Sequence, residues 1–236
     1  MICIPSILSG YLKGSLSKEE EEFLNRTVKI SLVKDEIIHA VMYWGMGLKK
    51  VASEIEERAL INLDNFKVCF QENFGQSVMK IILIITDKHA ELNGISSDII
   101  EQYIQSVGEL MQRHGYQFIR MSNLWKEWGM TIDYIKKETR KIRKSQWNRV
   151  KIRKDLEAMA LKHYFGEDRN YVKGARQYWL TSIKESDYIQ DKFCTSLFLT
   201  YNSKKLDPIF PKQLPILHLH VIKGNRDEDD IKPWFA

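Results

Sequence analysis

The chain has 236 residues, of which 44% are apolar and 28% charged, with a formal net charge of +5. That length carries one substantial core and excludes two large independent domains. No apolar run approaches the ~20 residues that span a bilayer, and Met1 to Leu12 lacks the basic start and long apolar core of a secretory signal, so a soluble cytoplasmic protein with no membrane partner is expected.

Ser17-Lys18-Glu19-Glu20 forms a capping-box pattern that predicts a helix over Lys18 to Val28. A second helix is expected from Lys34 to Trp44 and a third from Ala52 to Phe70, where Ile55, Ala59, Leu63 and Phe66 recur near helical spacing, with Gly45-Met46-Gly47 breaking the two apart. Val78 to Ile85 is a short run rich in β-branched residues, which predicts a central parallel strand covered on both faces. It stops at Thr86-Asp87, and in open α/β sheets ligands bind at the carboxyl ends of such strands. Asp87, His89, Glu91 and Asn93 therefore stand where a site is expected, although Asp87 and Asn93 can equally shape the turn and cap the next element.

Ser96 or Ser97 starts a predicted helix whose stripe of Ile99, Ile100, Tyr103, Ile104, Val107, Leu110 and Met111 ends at His114-Gly115. Tyr116 to Met121 alternates as a strand does, so Val78 to Met121 reads as a strand, helix, strand unit with a right-handed crossover. Ile132 to Tyr164 is helical, polar and basic. Asp168 to Ile189 is another helix, with Tyr171, Ala175, Tyr178, Trp179 and Ile183 inward. Two more strands are expected, Ser196 to Tyr201 and Pro215 to Lys223, then an acidic turn at Asp227 to Asp230. The expected architecture is a Rossmann-like, mostly parallel sheet flanked by helices, with additional helices, in a single α/β domain. Its parts are N-terminal helices (1–44), a strand-helix-strand core (45–125), a helical segment (130–190) and C-terminal strands (195–236).

Lys136 to Lys154 holds ten Lys or Arg against Glu138 and Asp155, with Trp147 in the middle. Such a run can track a phosphate backbone while an aromatic stacks on a base, or it can be a solvated helix face. His218 and His220 point to one face of a predicted strand, but a zinc site needs a third ligand that no spacing identifies, and Cys3, Cys69 and Cys194 are too far apart to supply a paired motif. No metal and no cofactor is expected. The phosphate loop, the Gly-x-Gly-x-x-Gly fingerprint and the Gly-x-Ser-x-Gly elbow are all absent. What remains is polar residues at strand ends: Lys49, Asp87, His89, Arg120, Asn202, Lys204, Lys205 and the histidine pair.

In this order the markers resemble the isonitrile synthase family of pyoverdine and dityrosine biosynthesis. Gly45 to Lys49 followed by Glu56-Glu57-Arg58-Ala59-Leu60 resembles the family's glycine segment, lysine and Glu-Glu-x-Ala-Leu helix. Thr86-Asp87-Lys88, Asn93, Gly94-Ile95-Ser96 and Tyr103 are similar to its Ser-Asp-Gly strand end and the helix beyond it. Phe118-Ile119-Arg120, Phe198 to Asn202 and Pro233-Trp234-Phe235 resemble its later motifs. The chain departs from the family where Asp-Gly becomes Asp87-Lys88, where the second acid becomes Asn93, and where both motif histidines are replaced, by Asn202 and Phe235.

The resemblance implies condensation of the amino group of an aromatic L-amino acid with the carbonyl of ribulose 5-phosphate, then proton transfers and carbon-carbon cleavage to leave an isonitrile. It nominates Asp87, His89 and Lys49 for catalysis, and Arg120, Asn93, Asn202, Lys204, His218, His220 and Trp234 for substrate binding. Ordinary ion pairing is the alternative for each cation. A second resemblance is to tRNA-dependent cyclodipeptide synthases, whose paired tyrosines are similar to Tyr178 and Tyr201 and whose tRNA the basic run would hold. No match to their Gly-Ile-Ser nucleophile segment precedes the first long helix, and Ser182 stands where their glutamate would be. A non-catalytic binding relative is the third reading.

Overall fold

The structure, a computed structural model, describes residues 8–35, 37–73, 78–221 and 232–235. Among these, strands β1 (Ile37–Trp44), β2 (Val78–Ile85), β3 (Gln117–Arg120), β4 (Leu197–Thr200) and β5 (Ile216–His218) pair in the order β3-β2-β1-β4-β5, every neighbouring pair parallel. The chain runs outward from β1 to β2 and β3, then crosses back to lay β4 on the other side of β1. The order therefore reverses between β1 and β4, which is where a doubly wound sheet opens a crevice for ligands.

The sheet is buried on both faces because its residues alternate. Ala40, Met42, Trp44, Ile81, Leu83, Ile85 and Leu199 join one apolar cluster with residues of α1 (Lys18–Asp35), α2 (Glu54–Asn73) and α4 (Ser97–Arg113). Val41, Ile84 and Phe198 join the other, with residues of α5 (Met121–Glu127), α6 (Ile132–Lys141), α7 (Lys144–Trp147), α8 (Arg153–His163) and α9 (Tyr171–Lys192). The short α3 (Asp87–Leu92) starts immediately beyond β2.

The α/β class and the strand, helix, strand unit match the sequence reading. One element differs in kind: residues 37–44, expected within a helix from Lys34 to Trp44, form the central strand β1. Ile37-Ile38-His39-Ala40-Val41-Met42-Tyr43-Trp44 is apolar but for His39, and such a run buried on both faces has the same pattern as a buried helix. Its β-branched residues and sheet burial decide for the strand. Val78 to Ile85 is accordingly an interior strand beside the centre, and Gly45-Met46-Gly47 comes after a strand rather than separating helices. The first helix runs on to Asp35, and among the described residues the last strand covers Ile216–His218, with an antiparallel bridge from Leu219 to Leu12, while Ile222 and Lys223 of the expected strand lie outside them. The acidic turn at Asp227 to Asp230 lies outside the described residues.

Candidate active site

The ends of β1 and β2 are held level by Thr86, whose backbone N–H and hydroxyl both donate to the Trp44 carbonyl at 2.9 and 3.2 Å. Just beyond them lies a cavity of about 90 Å³, walled by Tyr43 and Gly45 from β1 and its exit, Thr86 and His89 from the exit of β2, and Asn202 beyond β4. This is the crevice that the strand order predicts.

Its roof is the α8–α9 hairpin, which contributes Leu156, Met159, Ala160, His163, Gly174 and Tyr178. The hairpin is docked by the Phe165 N–H, which donates to the Asn93 carbonyl at 2.7 Å. At that point Gly94 has φ +85° and any Cβ on it would come within 2.6 Å of the Gly166 backbone nitrogen. Gly94→Ala therefore combines left-handed strain with a backbone clash. A loss of about 1–3 kcal/mol is expected, read as a lower urea midpoint.

The remaining wall is Trp234, which sits over Gly45, where a Cβ would overlap the indole, and packs on Trp44 and Tyr201 with ring centroids 5.6 and 6.2 Å away. Lys232 lines the same cavity; burial, and after it the Lys232 and Lys162 charges, lowers the His163 pKa to about 4, so this imidazole is neutral at neutral pH.

The chemistry of the site converges on a residue absent from the sequence candidates. Glu185, in the middle of α9, is 0% exposed. Its Oε2 lies 2.7 Å from His89 Nε2, and its Oε1 accepts from Trp125 Nε1 at 2.6 Å. The rings of Tyr43 and Tyr178 meet His89 edge-on at 6.0 and 5.5 Å. Burial and the Glu185 charge raise the pKa of both tyrosines, that of Tyr178 to about 12, so both keep their protons. A signal for Glu185 existed: an acid three residues after Ser182 and seven after Tyr178 stands on the inward stripe of α9, and a carboxylate is rarely buried there without a purpose.

Of the sequence candidates, His89, Asn93, Asn202 and Trp234 are brought together around the cavity. Asp87, Lys49, Arg120, Lys204, His218 and His220 do not line it. Asp87 is buried at the junction of β3 and α5, where it accepts from Ser122 N–H at 2.8 Å and from Arg120 Nε at 3.0 Å. The remaining guanidinium nitrogens of Arg120 bind both oxygens of Glu101. Removing the charge from this buried anchor by Asp87→Asn is expected to lower stability by about 1–3 kcal/mol, measured by chemical unfolding. Lys49 donates to both oxygens of the fully buried Glu56 and to the Pro233 carbonyl. Lys204 binds Glu20 and the Ser15 carbonyl. His218 is buried on the edge strand, its Nδ1 2.8 Å from the Asn202 carbonyl and its Nε2 2.8 Å from Asp207 Oδ1, out of line for a hydrogen bond to the latter. His220 is half-buried, and its backbone N–H donates to the Tyr11 carbonyl. No group of three or more His, Cys, Asp or Glu suited to a metal ion occurs among the described residues. No helix there is long and apolar enough to cross a membrane.

Residues 136–154 form α6, α7 and the start of α8. Lys136, Lys137, Arg140, Lys141, Arg143, Lys144, Arg149, Lys151 and Lys154 are exposed. Trp147, a stacking platform in one of the two readings of this run, is core: it is 1% exposed, donates to Glu157 at 2.7 Å and packs edge-on against Trp179. An amphipathic turn hides its one large aromatic, and sequence density alone does not say which side is inward.

No family model and no curated protein sequence matches the chain. Among solved structures, the PvcA protein from Pseudomonas aeruginosa is similar over 98% of this chain and 86% of its own, with a TM-score of 0.67 at 13% identity. A CDPS from Staphylococcus haemolyticus aligns over 82% of this chain and 86% of its own, with a TM-score of 0.44 at 15% identity. The first likeness extends the fold described above to a known protein.

Proposed function

We propose that the chain is a small-molecule biosynthetic enzyme of the isonitrile-synthase kind, which converts the amino group of an aromatic L-amino acid to an isonitrile with ribulose 5-phosphate as the carbon donor. The observation that carries this reading is the cavity at the switch point, in which one imidazole backed by a buried carboxylate stands among aromatic walls. Tyr43, Tyr178 and Trp234 suit a planar ring. His89 places an imidazole, the commonest general base, where protons must leave an amine as its bonds to carbon increase. Lys232 gives the cavity a positive group for a carboxylate or a phosphate. Lys49, Arg120 and Lys204, each held by a carboxylate, serve the walls rather than the ligand in this reading.

The test is incubation of the protein with L-tyrosine or L-tryptophan and ribulose 5-phosphate, with mass spectrometry for the isonitrile and His89→Gln as control. Product lost in the control supports the reading. Absence of product from folded protein overturns it for these substrates.

A second reading, tRNA-dependent condensation, is favoured by the exposed basic face of α6 to α8. With Trp147 in the core, the contacts there would be to phosphates, so binding should weaken steeply with salt. Neutralising Arg140, Arg143, Lys144 and Arg149 together is expected to reduce tRNA affinity by more than about tenfold at low salt and to flatten the salt dependence, measured by filter binding. Unchanged affinity would remove this reading.

A further inference from the structure

We infer that Glu185 is a positioning residue that fixes the tautomer of His89, holding the proton on Nε2 and leaving the Nδ1 lone pair to the cavity as the base. The inference rests on the proposed function for what the base acts on, but its geometry stands apart from that reaction. Glu185 is wholly buried in α9, and each of its oxygens has one short contact to a ring nitrogen, Oε1 to Trp125 Nε1 at 2.6 Å and Oε2 to His89 Nε2 at 2.7 Å. An indole N–H can only donate. Trp125, itself 1% exposed, therefore locks the orientation of the carboxylate, and the other oxygen faces Nε2. A carboxylate oxygen is an acceptor, so the matching imidazole tautomer carries its proton there. His89 lines the cavity, and with Nε2 engaged by Glu185 the remaining ring nitrogen is Nδ1.

In the proton transfer this implies, a ligand N–H bond breaks, its electron pair stays on the ligand nitrogen, and a new N–H bond forms at Nδ1. The imidazolium so formed is balanced by the Glu185 carboxylate and later returns the proton to the departing oxygen or to solvent. Tyr43 and Tyr178 pack edge-on against the ring.

The residue pair makes an unusual variant informative. In Glu185→Gln the introduced amide has one oxygen and one NH₂ where the carboxylate had two acceptors. Because Trp125 cannot accept, the oxygen must face it and the NH₂ must face His89 Nε2, which then has to accept and move its proton to Nδ1. The experiment is two-bond ¹H–¹⁵N correlation on the full chain with ¹⁵N-labelled histidine, His89 being assigned by loss of its signals in His89→Gln. The expected result is a wild type with Nε2 protonated and Nδ1 bare, and the reverse in Glu185→Gln, accompanied by a fall in kcat of roughly 10²-fold or more at little changed KM.

A wild type with the proton on Nδ1 overturns the inference without any variant, as does an unchanged tautomer in a folded Glu185→Gln. Should that variant not fold, the wild-type spectrum decides. The expected tautomers with no isonitrile from any substrate would sink the proposed reaction and leave this inference standing.

Discussion

Lys49→Met is expected to lower the stability of the protein by about 3–5 kcal/mol, the loss incurred when one partner of a buried ion pair is removed. The Glu56 carboxylate is 0% exposed and lies beneath the first turn of α2. It accepts from the Ser53 N–H and hydroxyl at 2.8 and 2.7 Å, from Tyr103 at 3.1 Å and from Lys49 at 3.0 Å. The first three are neutral donors, so Lys49 is the cation of that group. Methionine keeps the stem and its packing, which confines the change to the charge. For a chain of this length the loss corresponds to a drop in Tm of roughly 6–20 °C.

Thermal and urea unfolding of Lys49→Met and of the double variant Lys49→Met with Glu56→Leu would measure it. The double variant should lose less than the single one, because no buried carboxylate is then left without a cation. A loss below about 1 kcal/mol in the single variant would mean that Lys49 is no more than a surface pair. The same lysine donates to the Pro233 carbonyl, so the variant should also loosen the Trp234 wall and change near-ultraviolet ellipticity in the folded state.

The fold was legible in the sequence wherever period and punctuation agreed. The stripe of α4, the cap at Ser96 and the stop at His114-Gly115 all point to one helix, and it runs from Ser97 to Arg113. The strand β2 ends where the apolar run ends. The strand β1 was not legible, because a run buried on both faces carries no alternation, and only pairing with β2 and β4 reveals what it is.

The site was half legible for a related reason. Residues at the end of β2 are close in sequence to the cavity they line, so His89 and Asn93 could be nominated from their position alone. Asp87 is equally close, yet at the start of α3 it turns to the opposite side and meets the amide of Ser122. Direction within one helical turn decides between the two fates, and sequence spacing does not carry direction here. Glu185 reaches His89 across 96 positions. Such a contact depends on how α9 seats against α3, a tertiary fact with no local trace beyond an acid on an apolar stripe. Sequence position does not show pairing either: Lys49, Arg120 and Lys204 each meet a carboxylate, from Glu56, Asp87 and Glu20.

His89→Gln carries the largest expected effect on turnover. Glutamine reaches about as far as an imidazole, and its NH₂ can still donate to Glu185, so the buried carboxylate keeps a donor and the fold is expected to hold. What is lost is the imidazole that the proposed reaction uses as its general base, a role typically worth 10²–10⁴-fold in rate. The fall should appear in kcat, with KM changed by less than about threefold, because the aromatic walls that hold a ring are untouched. Under the proposed function, steady-state formation of the isonitrile would measure it, alongside Asp87→Asn at equal folded concentration. The geometry separates the two. Asp87 anchors β3 and α5 from outside the cavity, so its variant should cost stability and leave kcat per folded molecule within about threefold of the parent. A His89→Gln enzyme that turns over as fast as the parent would remove the imidazole from the chemistry. An Asp87→Asn enzyme that is stable but inactive would move the acid-base work to the other side of α3.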